Sequence, residues 1–368
     1  MTRSGISVIV PAYNRESLIG QTLSSILNQT LPADEIIVVD DGSSDGTAEA
    51  AEVAFYRWES EKLKSKKREV AKVPDFRVIR QENSGPGAAR NRGFAASKGE
   101  FIHFFDSDDI AALNKHEVQV RVLHESGADI AYGPWVKGHI REQGVGSMEH
   151  GAGSGEHGAR SLEQGSEAKK RCYSFEPEGH VLQQKGLPKG DLIKELLTRW
   201  SIVPQACLFR RSIVQKAGGF PGDMFIAEDQ LMFLRCLLGG AKVVHTPGTI
   251  AFYRLGDAGK LTESATASSR RVTDWLWFLE RAVAECRTKD IKPGQWLGFD
   301  RRLWVARRSL SADSLTEYGP ARRLLYPIMS AVDRWCGGLK MRLKGDRQNV
   351  SFQCSPITYD YLKLFPAS

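Results

Sequence analysis

Three short, predominantly apolar runs in the first third of the chain each stop at a polar cluster: ISVIV before PAYN, IIVV before DDGSSD, and FIHFF before DSDD. Runs of four or five apolar residues without alternation are too short for core helices. They read as strands buried on both faces, as in a parallel sheet. Between them lie helical patterns. Leu18, Ile19, Thr22, Leu23, Ile26 and Leu27 recur at helical spacing, with Asn14 as the expected cap and Glu16 in the first turn. A second helix is expected from Thr47, with Asp45 and Thr47 as capping residues, and a third follows NSGPG. Strand, helix, strand, helix at this rhythm predicts an α/β domain with a mostly parallel, Rossmann-like sheet flanked by helices. In such sheets ligands bind beyond the carboxyl ends of the strands, and all three polar clusters fall there.

The remaining strands are expected at 76–80 and 128–132, with a helix at 115–126 between DSDD and the latter. Residues 192–200, 203–221 and 227–257 carry further helix and strand patterns. Two segments break the rhythm. Residues 54–75 are rich in Lys, Arg and Glu and predict a charged helical insertion. Residues 138–190 are rich in Gly, Glu, His and Ser and predict a mobile loop, in which His150 and His157 are expected to be loop residues rather than metal ligands. The domain division expected is 1–265 for the α/β domain and 266–368 for a helical, arginine-rich region. The basic residues of that region interleave with apolar ones in places, a pattern that suits either a helix lying on an anionic membrane surface or one packed on the α/β domain with its charges in water.

Charge and cysteine content narrow the setting. The 51 Lys and Arg exceed the 44 Asp and Glu, a formal charge of +7, which suits an anionic ligand. The six cysteines are scattered, with no metal-ligand spacing, as expected in a reducing compartment. No apolar run reaches the ~18 residues of a membrane span, and the first residues lack a secretory pattern. A cytoplasmic location, at most peripheral to the inner membrane face, is the expectation. The basic residues lack the aromatic, strand-borne pattern of RNA readers, so no nucleic-acid partner is expected.

Carboxylates crowded as in DSDD repel one another unless a cation or a proton offsets them. Asp106 and Asp108, one residue apart after a strand, suit a hard divalent cation such as Mg²⁺ or Mn²⁺ held together with substrate phosphates. Capping of the next helix is the competing reading of SDD. Asp40 and Asp41 end another strand, where a carboxylate can accept hydrogen bonds from a nucleobase or ribose. Tyr13 offers a flat stacking face. Glu228 and Asp229 open an apolar helix. One of them can merely favour the helix dipole, but a metal–nucleotide site also needs a base for an acceptor hydroxyl, and Asp229 is the candidate.

Taken in order, SVIVPAYN, IIVVDDGSSDGT, NSGPGAARNRGF, GEFIHFFDSDD, GGFP, AEDQLMFLR and YR resemble the family-2 glycosyltransferases, inverting enzymes with the GT-A fold. The resemblance spans about residues 5–256 without the 138–190 insertion. It implies transfer of a sugar from a nucleoside diphosphate sugar, UDP- or dTDP-linked, to a saccharide or lipid-linked hydroxyl, in cell-surface polysaccharide or glycolipid synthesis. It implies that Pro11, Tyr13 and Asp41 line the nucleobase, Asp106 lies near ribose and metal, Asp108 ligates Mg²⁺ or Mn²⁺, and Asp229 is the base. Relatives often carry a His shortly after YR. Here Gly256 and Asp257 stand there, with Asp257 the available substitute. Two rival readings are a weakly catalytic sugar-nucleotide-binding or membrane-scaffolding protein of the same fold, and a haloacid-dehalogenase-like phosphatase using Asp106 as nucleophile. The phosphatase leaves PAYN and DDGSSDG without a purpose.

Overall fold

The computed structural model describes residues 5–64, 72–143, 172–177, 186–256 and 265–310. The chain opens with β1 (Ile6–Ala12), α1 (Ile19–Leu27), β2 (Glu35–Asp40), α2 (Thr47–Lys64), β3 (Asp75–Arg80), α3 (Pro86–Ala96) and β4 (Phe101–Phe104). It continues through β5 (Ile110–Ala111), α4 (Lys115–Ser126), β6 (Ile130–Tyr132), β7 (Trp135–Gln143) and β8 (Cys172–Pro177). Then come α5 (Leu192–Thr198), β9 (Cys207–Arg210), α6 (Arg211–Ala217), α7 (Glu228–Leu238), β10 (Val243–His245), β11 (Ala251–Arg254), α8 (Ala265–Arg287) and α9 (Leu297–Leu310).

The apolar runs become the centre of a seven-stranded sheet of order β10-β6-β9-β4-β1-β2-β3. It is parallel except for β9, which runs antiparallel between β4 and β6. Alternate residues of β1 serve opposite faces. Ile6, Val8 and Val10 pack under α1 and α2, whereas Ile9 faces the cluster built by β9, α6 and α7. Both faces are buried, so neither could afford a polar alternation. The chain winds from β1 outward to β3 and returns to the other side of β1 as β4. That reversal is a topological switch point, and the crevice beyond β1 and β4 is where the fold itself opens a ligand site. This is the GT-A architecture expected, with a mostly parallel central sheet and flanking helices.

A second, four-stranded sheet, β5-β11-β7-β8, stands beside the DSDD turn. Here strand pairing enters the 138–190 stretch from both ends: Gly138 to Gln143 of β7 pair antiparallel with Pro177 to Cys172 of β8. The mobile-loop expectation for 144–171, with His150 and His157, lies outside the described residues. So do residues 65–71 of the charged insertion, whose first part is the C-terminal half of α2, and the arginine-rich residues 311–368.

Two local expectations need correction. Asn14 does not cap α1, which begins only at Ile19. Asn14 adopts φ 52°, a left-handed conformation that asparagine tolerates, and its side-chain oxygen accepts from the Ser44 backbone N–H at 2.8 Å. Glu16 likewise is not in the helix; its carboxylate accepts from the Gly46 N–H at 3.1 Å. The loops after β1 and β2 are thus stitched together, a long-range use of polar residues that local capping rules do not foresee. The capping role of Asp45 holds, since its carboxylate accepts from the Thr47 N–H at 3.1 Å.

Candidate active site

The turn after β4 carries three carboxylates with three different fates. Asp109 is fully buried and structural: one oxygen accepts from the Arg254 N–H at 3.0 Å and the other from the Gln205 amide. It does not cap α4, so the capping reading of SDD is not realised. Arg254, the arginine of YR, donates from Nε to the Asp108 carbonyl at 2.8 Å and from a terminal nitrogen to Gln21 at 2.6 Å. The YR strand thereby fixes the backbone of the acidic turn. Asp108 is left facing Arg15, whose Nε lies 3.6 Å from its carboxylate. Arg15 is in turn curled onto the carbonyls of Tyr13 and Asn14, at 3.2 and 2.9 Å.

Asp106 leads to the central charge of the site. Arg90, on α3, is almost completely buried and forks between two carboxylates, 2.6 Å from Asp106 and 2.6 Å from Glu228. Its guanidinium lies over the Phe220 ring, 5.2 Å from the centroid. The neighbouring Asn91 holds Phe220 by both backbone groups, donating to its carbonyl at 2.8 Å and accepting from its N–H at 2.9 Å. That explains two motifs at once. GGFP presents Phe220 as the floor beneath Arg90, and the glycines of NSGPGAARNRGF let α3 approach closely. A Cβ at Gly87 would lie 2.5 Å from the Pro221 carbonyl, and one at Gly93 2.4 Å from Ile9 Cγ2.

One guanidinium cannot neutralise Asp106, Glu228 and Asp229 together. Burial and mutual repulsion push the Glu228 and Asp229 carboxyls above the usual range, while Arg90 pulls the other way. The same carboxylates hold Arg90 firmly charged despite its burial. Asp229 keeps partial exposure, and one of its oxygens accepts from the Gln230 N–H at 2.7 Å. Both acids sit in the first turn of α7, immediately after Ala227. Ala227 has φ 64°, a left-handed conformation that costs a residue with a Cβ about 1 kcal/mol or more. Such strain is often found where a site must aim particular groups.

On the other flank, Asp41 is buried and accepts three hydrogen bonds. They come from the Gln81 amide at 2.7 Å and from the Ser84 and Gly85 N–H groups at 2.9 and 2.8 Å. A carboxylate offers about four acceptor positions, so Asp41 is mainly the anchor of the loop before α3 and keeps little capacity for a ligand. Gly85 has φ 90°, and the Phe225 ring packs where a Cβ would stand. Pro11 is buried in β1 opposite Val39 of β2, and Tyr13 is exposed just past the strand end.

The structure therefore gathers Asp106, Glu228 and Asp229 around Arg90, with Asp108 and Arg15 beside them at the same switch point. Asp41 and Tyr13 stand at the ends of the adjoining strands. Arg90, Arg15 and Asp109 were not singled out from sequence. The available signal for Arg90 was a lone arginine within a helix otherwise made of Gly and Ala on its buried side. Among the described residues no three His, Cys, Asp or Glu groups form a closed metal-ligand set. Asp106 and Asp108 carry carboxylate oxygens, the ligand type that suits Mg²⁺ or Mn²⁺ alongside substrate phosphates; here Asp106 pairs with Arg90 at 2.6 Å and Asp108 faces Arg15 at 3.6 Å. Asp257 lies outside the described residues. At Gly256, φ is 82° and a Cβ would stand 3.0 Å from the His139 ring, so a side chain there is disfavoured.

Comparison with known proteins bears on this arrangement. The profile of the family described as Glycosyl transferase family 2 matches residues 7–216. The glycosyltransferase GlyG of Streptococcus pneumoniae is 37% identical over 129 residues, which is 35% of this chain and 38% of GlyG. Eight of the curated relatives this chain matches are covered over 15% to 46% of their own lengths. Among solved structures, residues 1–349 of TarS from Staphylococcus aureus, in complex with UDP-GlcNAc, give a TM-score of 0.53 at 19% identity, covering 87% of this chain and 77% of that one. The mannosyltransferase PcManGT of Pyrobaculum calidifontis, in complex with GDP-Man and Mn²⁺, gives 0.51 at 19% identity, covering 90% and 81%. The phosphatase reading falls with the family match. From the matched residues and the fold together, the chain belongs to glycosyltransferase family 2.

Proposed function

We propose that this protein moves a sugar from a nucleoside diphosphate sugar to an acceptor hydroxyl, with inversion at the anomeric carbon and Asp229 as general base. The observation that carries the proposal is the Arg90 fork. It joins the acid after β4 to the acids of α7, more than 120 residues apart in sequence, in one buried charge network at the switch point. Asp229 is the member of that network with exposure to the crevice and an elevated proton affinity. It takes the proton as the hydroxyl oxygen attacks. Tyr13 and the Asp41-anchored loop receive the nucleobase, and Pro11 sets the strand end from which Tyr13 projects. Asp106 and Asp108 would hold Mg²⁺ or Mn²⁺, which when bound supplies Lewis-acid stabilisation of the departing diphosphate. Arg15 adds a positive charge beside Asp108. The two solved neighbours carry UDP-GlcNAc and GDP-Man. A uridine donor fits the expectation from sequence, and a guanosine donor is the alternative to include. A saccharide or lipid-linked acceptor at the inner membrane face, with the basic C-terminal residues touching anionic lipid, completes the reading.

The test has two parts. Sugar nucleotides are screened for Mn²⁺-dependent thermal stabilisation; a ligand at a hundred times its Kd stabilises by about 2.7 kcal/mol. With the donor so found, Asp229→Asn is expected to lower kcat by about a hundredfold or more, the usual range for loss of a general base. Donor-induced stabilisation should persist in that variant. An Asp229→Asn protein with full transfer activity would remove Asp229 as the base, whereas a wild type that binds the donor and transfers no sugar would favour the binding or scaffolding alternative.

A further inference from the structure

We infer that Asp274 of α8 is a positioning residue for the catalytic base, so that the C-terminal helical region is part of the transfer site. The inference rests on the reading of Asp229 as that base. Asp274 is buried, and one of its oxygens accepts from two successive backbone N–H groups, Phe225 at 3.1 Å and Ile226 at 3.0 Å. The next three residues are the left-handed Ala227, Glu228 and Asp229. A strained residue keeps its conformation only when its surroundings over-determine it. On the upstream side of Ala227, that constraint comes from Asp274.

A second contact closes the same loop from outside, since Arg281, two turns along α8, pairs bidentately with Asp223. The loop is held on its far side too. The Phe225 ring packs on Gly85, whose N–H is fixed by Asp41. Residues 223–227 of the loop between α6 and α7 therefore couple the nucleobase flank, the base and α8. Asp274 and Arg281 lie beyond both the family match, which ends at residue 216, and the motifs of residues 5–256. Asp274 acts through backbone and touches no reacting atom. Its loss should move the base rather than weaken donor binding.

The experiment compares Asp274→Ala, Asp274→Asn and Arg281→Ala with the wild type. Amide hydrogen exchange comes first. Asp274→Ala should speed exchange at Phe225 and Ile226 by about tenfold or more, the scale of losing charge-assisted hydrogen bonds, with β1 and β2 unchanged. Asp274→Asn, whose amide oxygen can accept the same bonds, should restore most of the protection. Arg281→Ala removes a partly exposed ion pair with Asp223 and leaves the Asp274 carboxylate in place; it should speed exchange at Asp223–Ile226. Mn²⁺-dependent UDP or GDP release, by transfer of the sugar to water as the acceptor hydroxyl, is then followed with UDP-glucose, UDP-N-acetylglucosamine and GDP-mannose as probes. Asp274→Ala should lose about tenfold or more in kcat with donor KM within about twofold, and Asp274→Asn should recover it. Unchanged loop exchange in Asp274→Ala and Arg281→Ala overturns the clamp. Faster loop exchange with wild-type kcat overturns the positioning role. A wild type that releases no nucleotide from any probe counts against the transferase reading instead, while the exchange data still decide the clamp.

Discussion

At the scale of single residues, Arg90 explains most of what the site can do. A planar guanidinium can bond two carboxylates at once, which an ammonium cannot reproduce. Arg90→Met should cost about 3–5 kcal/mol in chemical denaturation, because it leaves Glu228 and Asp106 without their buried counter-charge. The elevated proton affinity of Asp229 gives a pH prediction. A base must be ionised to work, so kcat/KM should rise with pH through a single ionisation lying above the ordinary aspartate value of about 3.9. The sign for stability is the reverse. A carboxyl whose folded pKa is raised favours folding below its unfolded pKa, and that contribution is lost as pH rises towards the folded value. An acid limb at or below the ordinary value would mean that burial does not govern this carboxyl.

At the scale of elements, α4 shows how much buried polar chemistry the sheet tolerates. Lys115, its first residue, is fully buried, and its ammonium donates to the Ala206 carbonyl at 3.1 Å. Burial pulls its pKa down to about 7. Next to it His116 and His103 share a ring-to-ring hydrogen bond of 2.9 Å, and burial keeps both from being charged. For Lys115 the unfolded chain binds the proton more tightly than the folded one. Wild-type stability should therefore rise from about pH 7 towards the free-lysine value of about 10.4. Thermal melts of Lys115→Met across that range should lose this slope. An identical slope in both proteins would place the proton balance elsewhere. The sequence reading that placed a helix at 115–126 gave no sign of this, because a lysine at a helix start normally reads as solvated.

At the scale of the whole molecule, the two sheets meet at the DSDD turn. Arg254 of β11 holds the turn's backbone from one side and Arg90 of α3 holds Asp106 from the other. Asp108→Asn should remove the Mn²⁺ dependence of nucleotide stabilisation while leaving the protein folded, since the amide keeps the volume of the buried acid beside Arg15. A variant that melts well below wild type without ligand would show Asp108 to be a structural acid like Asp109. Among the described residues no helix is long and apolar enough to cross a membrane.

The sequence by itself determined the elements and the family. Continuous apolar runs such as ISVIV must be buried on both faces, and their polar endings must lie at one sheet edge. That is local physics, visible in composition and period. It also pointed to Asp106, Asp108 and Asp229 as acids at strand and helix ends. Only the tertiary structure decided which acid does what. Asp109 became a structural strut, Asp41 a loop anchor and Glu228 a partner of Arg90, because each role depends on groups 40 to 145 residues away. Charge, burial and pKa are set by the neighbours that folding supplies, and no one-dimensional pattern encodes their distances.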